Sequence, residues 1–502
     1  MGARRASSVS AASEPLEPDL LGSAEAGPAA TRGGALRVGG YIAGALVSAV
    51  SAALLFRHLG VVDTGRYVTA MSLVAIVGAI SDLGLTAVGV REISLRPESE
   101  RWTLASELLG LRIALTLAGG AAVTAITAAS YDTTLAAGVA LAGCGLLLQA
   151  AQDNFAIPLI VDLRLGWVSL LELLRQLLTT LVILLLVFVG ASLLPFLAVS
   201  IPVGLVVLAL TVKVVRGRRS LMPSFDWRRW RTLMASILPY SAAVAASALY
   251  FRVSIILVSA LSTAAQLGYF SASFRIVEVL TVVPGLLASA AFPIFTRAAR
   301  DDQARLGYAL GRVFEVALIA GAWIAVSIGV GARLAIEVIG GRKFDPAVPV
   351  LALQGVAVGA MFVSAVWSNA LLSLGLYRQI LLINVAALAL NAALVASLVS
   401  VDGARGAAIG TAVAEVVAAF GLAALVIRGR PELRPSLRVV PRVALASALG
   451  LVPLAMSGVP VIARIAISTT LFVVVLLATG ALPPELRALI PEPFTRRKAL
   501  GG

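Results

Sequence analysis

The chain has 502 residues, of which 59% are hydrophobic and only 13% charged, with a mean hydropathy of +0.97. A soluble domain carries about 25% charged residues, so an ordinary water-soluble protein is excluded. The net charge of +14 and pI near 10.8 would suit nucleic acid in a soluble chain, but here the cations follow a membrane pattern and no nucleic-acid role is expected.

Residues 1–34, rich in Ala, Ser, Glu and Pro, lack the apolar core of a signal peptide and are expected to form a disordered cytoplasmic tail. From Leu36 to Leu482 the chain is a succession of about fourteen apolar stretches, each close to the 20 or so residues that carry a helix across a bilayer. The predicted spans are 36–56, 67–90, 104–127, 134–160, 168–189, 191–212, 234–258, 266–291, 308–330, 348–374, 378–400, 405–427, 440–457 and 461–482. The expected fold is therefore an all-α polytopic membrane protein. Prolines such as Pro158, Pro195, Pro202, Pro284 and Pro453 interrupt several spans, which membrane helices tolerate where neighbours or water re-satisfy the backbone.

Lys and Arg gather at the two ends of the chain and in every second loop. The largest cluster is Lys213, Arg216, Arg218, Arg219, Arg228, Arg229 and Arg231, followed by Arg428, Arg430, Arg434, Arg438 and Arg442, whereas loops 128–134, 190–195 and 259–266 contain none. By the positive-inside rule both termini face the cytoplasm and the number of spans is even. The basic loops are also suited to membrane lipids with anionic heads. Heavy use of Ala, Gly and Val, with only three Lys against many Arg, suggests a high-GC bacterium and hence its plasma membrane.

The long basic stretch divides the chain into a first six-helix lobe, 35–215, a linker, 216–233, and a second six-helix lobe, 234–428. Residues 429–502 supply two extra spans and a cytoplasmic tail. In the linker, Trp227 and Trp230 alternate with arginines, a pattern expected to form a short helix lying at the interface. The loop from Leu59 to Tyr67 after span one is mirrored by the loop from Ser262 to Tyr269 after span seven. Weak symmetry between two halves of like topology points to a transporter with its site between them.

Ionisable side chains inside spans are costly and mark function. Arg252 and Arg275 stand out: with span seven ending near 258 and span eight starting near 266, they lie about 9 and 13 Å deep. The short loop between these spans makes them antiparallel neighbours, so both guanidiniums face away from lipid at similar depth. Arginine forks suit phosphate, and Glu278, one turn from Arg275, can hold it when no anion is bound. The rival reading is a structural ion network around Glu278 and Glu415. Arg112 and Asp82 fall in the cytoplasmic halves of spans three and two, and Glu415 near the middle of span twelve. Buried carboxylates such as Asp82 and Glu415 can carry protons or Na⁺. The pairs Glu172/Arg175 and Arg312/Glu315, each three residues apart near the cytoplasmic surface, are expected to neutralise one another locally.

No catalytic group, cofactor or metal site is expected. His58 is the single histidine, Cys144 the single cysteine, and no Walker A motif occurs. Cys144 is expected to pack as a small apolar residue.

The stretch Leu59-Gly60…Gly65-Arg66-Tyr67, then Asp82-Leu83-Gly84-Leu85…Gly89-Val90-Arg91-Glu92, resembles the first helical hairpin of the polysaccharide flippases of the multidrug/oligosaccharidyl-lipid/polysaccharide exporter superfamily. Arg252 within span seven, Leu267-Gly268-Tyr269-Phe270 and Phe292-Pro293 are similar to that family's second-half opening. The resemblance implies two six-helix lobes around a cation-lined central cavity, alternating access, and a polyprenyl-diphosphate-linked glycan as cargo; H⁺ or Na⁺ coupling is an expectation from the buried carboxylates alone. It implies no enzyme activity. A related flippase for a lipid-linked peptidoglycan precursor, a drug/cation antiporter, and a membrane glycan polymerase or ligase are the alternatives. The antiporter sits poorly with arginines in the cavity, and the outward loop 331–347 is short for a polymerase.

Overall fold

The computed structural model describes residues 26–82, 84–162, 164–215, 222–301 and 303–482. Most of the expected N-terminal tail, the linker arginines Arg216, Arg218 and Arg219, and the C-terminal tail beyond 482 lie outside the described residues.

The described chain is helical from end to end, without strands. In the first half the helices are α1 (Ala26–Asp82), α2 (Leu85–Leu95), α3 (Glu98–Ser130), α4 (Thr133–Val161), α5 (Leu165–Val189), α6 (Leu193–Ala198) and α7 (Ser200–Val215). The second half contains α8 (Trp227–Leu261), α9 (Ala264–Leu280), α10 (Val282–Asp301), α11 (Gln303–Gly340), α12 (Val348–Ser373) and α13 (Tyr377–Gly429), and α14 (Val439–Gly450) and α15 (Val461–Ala478) follow. Ten of the described helices are long and apolar enough to cross a membrane, and two shorter apolar ones cover Leu249–Leu261 and Val439–Ala455.

Two of the long helices are bent double. In α1 the helical path breaks at Gly60 (φ 72°, ψ −172°) and in α13 at Asp402 and Gly403 (φ 52°). Gly60 and Gly403 occupy positive-φ backbone that a side chain would strain. With both arms of each bent helix counted, the described residues supply fourteen apolar passages, as the hydropathy pattern predicts.

Helix α1 is the hub. It packs on α3, α4 and α5 of its own half and on α8, α9 and α11 of the other. One apolar core runs through both halves, with Phe56, Phe270, Phe295, Phe362 and Trp367 fully buried in it. Helices α14 and α15 pair with each other and lean on α11. Side chains such as Leu185, Phe188 and Val189 of α5 point outward, as helices facing hydrocarbon require.

The halves meet at both ends. At the end opposite the basic loops, a Cβ on Gly268 would lie 2.1 Å from the Val61 carbonyl oxygen and one on Gly65 would lie 3.0 Å from the Gly268 nitrogen. Backbone therefore packs on backbone where the second arm of α1 crosses α9, as small residues permit in membranes. Nearby, the Tyr131 hydroxyl is 2.9 Å from Ser259 Oγ, and Arg57 donates to the Glu337 carbonyl at 2.9 Å. At the basic end the Ser224 amide donates to the Ser106 carbonyl at 3.0 Å, Trp230 Nε1 donates to the Glu107 carbonyl at 3.2 Å, and Arg229 pairs with the Glu107 carboxylate.

Several expectations are corrected. Trp227 and Trp230 do not form a separate interfacial helix. They open α8, capped by the Asp226 carboxylate on the amides of Arg228 and Arg229, and Trp230 is buried against α3 while Trp227 stays exposed. The polar contact with Glu107 draws one indole inward, which periodicity alone does not reveal. The outward loop expected at 331–347 is largely helical, because α11 continues to Gly340 and turns at Gly341 into a 3-10 segment. The break between spans one and two is Gly60 rather than a nine-residue loop. Cys144 is exposed instead of packed, since its face of α4 has no neighbouring helix over it.

Candidate functional site

The site expected at spans seven and eight begins with two capped helices. Asp226 fixes the start of α8, and the Thr263 hydroxyl accepts from the Gln266 amide to start α9. Only Ser262 and Thr263 separate the two helices, which makes them antiparallel. Arg275 and Glu278 lie three apart on α9 and so share one face. Arg252 of α8 reaches the same carboxylate from the side: its Nη2 donates to Glu278 Oε1 at 2.5 Å, while Arg275 Nη1 donates to Oε2 at 2.5 Å.

Because α8 ends at Leu261 and α9 begins at Ala264, both slightly displaced from the sequence estimate, Arg252 and Arg275 lie about 14 and 17 Å from the helix ends. That is the middle of a hydrocarbon layer about 30 Å thick.

This trio lines a cavity of about 280 Å³ whose other wall belongs to the first half, including Ser48, Tyr67, Gln176 and Thr179. Arg275 also donates to Ser48 Oγ, and Arg252 Nη1 to Ser72 Oγ at 3.4 Å, so the first half supplies hydroxyls to both cations. The Arg252 guanidinium sits 5.6 Å from the Phe274 ring centre, an arrangement that favours a cation. Two guanidiniums share one carboxylate, leaving one formal positive charge in a half-enclosed cavity. A polyanion can exchange with Glu278 and engage both forks.

Arg112 is elsewhere. It is buried in the first half, where its Nη2 donates to the Asp82 carboxylate and to Thr86 Oγ1, and the Thr86 hydroxyl in turn donates to Asp82 at 2.7 Å. The structure thus joins two candidates, Asp82 and Arg112, that the sequence treats separately, and it does not bring Arg112 to the cavity of Arg252 and Arg275. The surface pairs behave as expected, Arg312 with Glu315 at 2.9 Å and Arg175 with Glu172 at 3.7 Å. His58 is held by the Ala191 carbonyl at 2.8 Å and the Phe196 ring.

Glu415 does not join Glu278 in an ion network. It is buried in the second half and accepts from the Tyr250 hydroxyl at 2.6 Å. Around it, Ser254 Oγ lies 3.1 Å from Thr411 Oγ1, and Asn391 Nδ2 donates to Ser254 Oγ at 3.3 Å. The carbonyl oxygens of Asn391 and Gln354 are buried there without a partner, beside a void of about 30 Å³. Sequence reasoning found Glu415 but missed its companions. Their signal was the four-residue spacing of Tyr250/Ser254 and of Thr411/Glu415 within apolar helices, which aligns each pair on one face.

Two helical halves closing around a polar cavity with two arginines and a glutamate define a multi-pass, all-helical membrane protein. The model of a family described as "Polysaccharide biosynthesis protein" matches residues 54–349, more than half of the chain, and the protein belongs to that family. Its fold is shared by several solved structures. The lipid II flippase MurJ in an inward closed conformation is 14% identical with a TM-score of 0.72, over 91% of this chain and 100% of that one. A multidrug resistance MATE family transporter of the MOP superfamily, inward-facing, is 14% identical with a TM-score of 0.61, over 78% and 95%. A MOP superfamily transporter from Pyrococcus furiosus is 15% identical with a TM-score of 0.55, over 79% and 96%. No curated protein matches the chain by sequence.

Proposed function

We propose that the protein is a flippase that carries a polyprenyl-diphosphate-linked oligosaccharide from the inner to the outer leaflet of a bacterial plasma membrane, for cell-surface polysaccharide. The observation that carries this reading is the pair Arg252 and Arg275, from two helices of one half, sharing Glu278 at mid-span in a cavity walled by the other half. A diphosphate offers the charge and the oxygen geometry that two forks accept. No covalent chemistry is needed, so the protein is a transporter and not an enzyme. The cavity shelters the polar head while the polyprenyl tail stays in lipid.

The units that rock are residues 35–215 and 234–428, joined by the linker 216–233, with 429–502 as an accessory pair of spans. Both termini are cytoplasmic. The glycine crossing of Gly65 and Gly268 is the outer closure, and alternating access opens it while the basic end shuts. Glu415, with Tyr250 and the unpartnered oxygens of Asn391 and Gln354, is the candidate for H⁺ or Na⁺ coupling. Asp82, committed to Arg112, is the weaker one.

The likeness to the lipid II flippase over the whole of that chain favours a lipid-linked peptidoglycan precursor as the second reading. Proteoliposomes loaded in parallel with polyprenyl-diphosphate oligosaccharide or with the peptidoglycan precursor separate the two, with head-group exposure followed by an external cleaving enzyme. Wild type is expected to expose the oligosaccharide faster, and Arg252→Ala/Arg275→Ala to expose neither. Transport of the precursor alone overturns the cargo, and transport by the double variant overturns the site.

A further inference from the structure

A second cleft lies at the basic end of the first half, away from the central cavity and unused by the mechanism above. We propose that it holds the anionic, phosphate-bearing head of a membrane lipid.

Three candidate membrane spans, Glu100–Ser130, Thr133–Val161 and Leu193–Val215, end together at this point, so the cleft opens where a helix leaves the hydrocarbon and head groups begin. Its volume is about 120 Å³, and its lining brings Arg101 and Trp102 of α3 together with Arg164 from the turn before α5. Leu159, Val161, Val214 and Val215 make an apolar floor. Arg101 is fixed by its Nε, which donates to the Arg96 carbonyl at 2.8 Å, leaving its terminal nitrogens for another acceptor. Among the described residues no carboxylate forms an ion pair with Arg101 or Arg164. Among the described residues of the lining, Asp162 is the sole carboxylate beside two guanidiniums. Trp102 packs against two apolar clusters at once, which sets a rigid, amphipathic ring at head-group level, where indoles favour membranes.

Two forks above an apolar floor match a phosphodiester joined to acyl chains better than a free ion. The forks take phosphate oxygens, and the floor receives the glycerol and first methylenes. The site does not depend on the protein's being a flippase.

The test is native mass spectrometry of the full chain in detergent with equimolar phosphatidylglycerol and phosphatidylcholine of matched acyl chains. Wild type is expected to retain one phosphatidylglycerol with a preference of about 10- to 30-fold, the worth of two basic residues against an anionic head. Arg101→Gln/Arg164→Gln loses that molecule, whereas Arg434→Gln/Arg438→Gln, in the basic segment before α14, keeps it. Arg101→Lys/Arg164→Lys retains charge without the fork and holds an intermediate share. If the double glutamine variant unfolds, Arg164→Gln alone carries the test, with a drop of about fivefold. Wild type without preference, or a double variant that still retains the lipid, overturns the proposal. Displacement of the lipid by millimolar inorganic phosphate assigns the cleft to a free anion and overturns it too.

Discussion

Two arginine–carboxylate clusters inside the membrane invite comparison. In the first half Arg112 is 2% exposed and forms its ion pair with Asp82, which is 41% exposed and further tied by Thr86, while the Asp153 carboxylate lies near enough to act on the same guanidinium. In the central cavity Arg252, Arg275 and Glu278 are 21%, 30% and 23% exposed, and two cations divide one anion. The same residue types are thus used in opposite ways. A pair whose cation is sealed from water, with carboxylate charge in excess around it, has nowhere to exchange, so it fastens α1 to α3. A two-to-one cluster open to a cavity keeps its partner replaceable.

The comparison breaks most severely at Asp82. Asp82→Ala leaves the buried Arg112 guanidinium without its direct ion-pair partner, and thermal unfolding in detergent is expected to show a loss at the lower end of the about 3–5 kcal/mol of broken buried pairs, because Asp82 is partly exposed and Asp153 remains near. Arg112→Met, which removes the buried charge itself, should cost less. If Asp82→Ala unfolds like wild type, the two clusters are not different in kind.

Next in size is the crossing that closes the cavity. Gly268→Val drives a side chain into the Val61 carbonyl and should part the helices at the end opposite the basic loops. Spin-label distances across that end then lengthen, and Arg252 and Arg275 become accessible to an arginine-modifying reagent while Arg112 stays protected. Gly120→Val, where nothing lies within 4 Å of the added carbon, should leave both measurements unchanged. Equal protection of the cavity arginines in Gly268→Val would refute the role given to the crossing.

Glu278→Gln sharpens the contrast more gently. Removing the internal competitor should tighten pyrophosphate binding about tenfold in calorimetry, because charge-assisted bonds to the anion no longer replace an ion pair. Weaker binding would mean that Glu278 positions the arginines rather than competing for them. The smallest effect is expected at Glu107→Gln. Its partner Arg229 is largely exposed, so the loss in thermal unfolding should be the smallest of the set and shrink with added salt.

What could be read in advance follows from these physics. Each span was visible because a bilayer demands a long apolar run, and Arg252 and Arg275 were visible because a cation interrupts such a run. Partnership was not: Asp82 and Arg112 sit on different helices, and hydropathy says nothing about which helices touch. The Tyr250–Glu415 cluster escaped for the same reason, since each of its hydroxyls and amides is unremarkable alone and joins a buried polar cluster only when α8, α12 and α13 assemble. The turn at Gly60 was overdrawn as a loop because polar residues around Asp63 and Arg66 look like a linker. They are the first turns of the returning arm, where Arg66 reaches Asp132 at 2.8 Å.

The tight reversals at Gly60, Gly341 and Gly403 leave that face of the molecule almost bald. An antibody or protease approaching from there has little chain to grip, and an affinity tag inserted at any of these turns would have to unmake the left-handed residue that forms it.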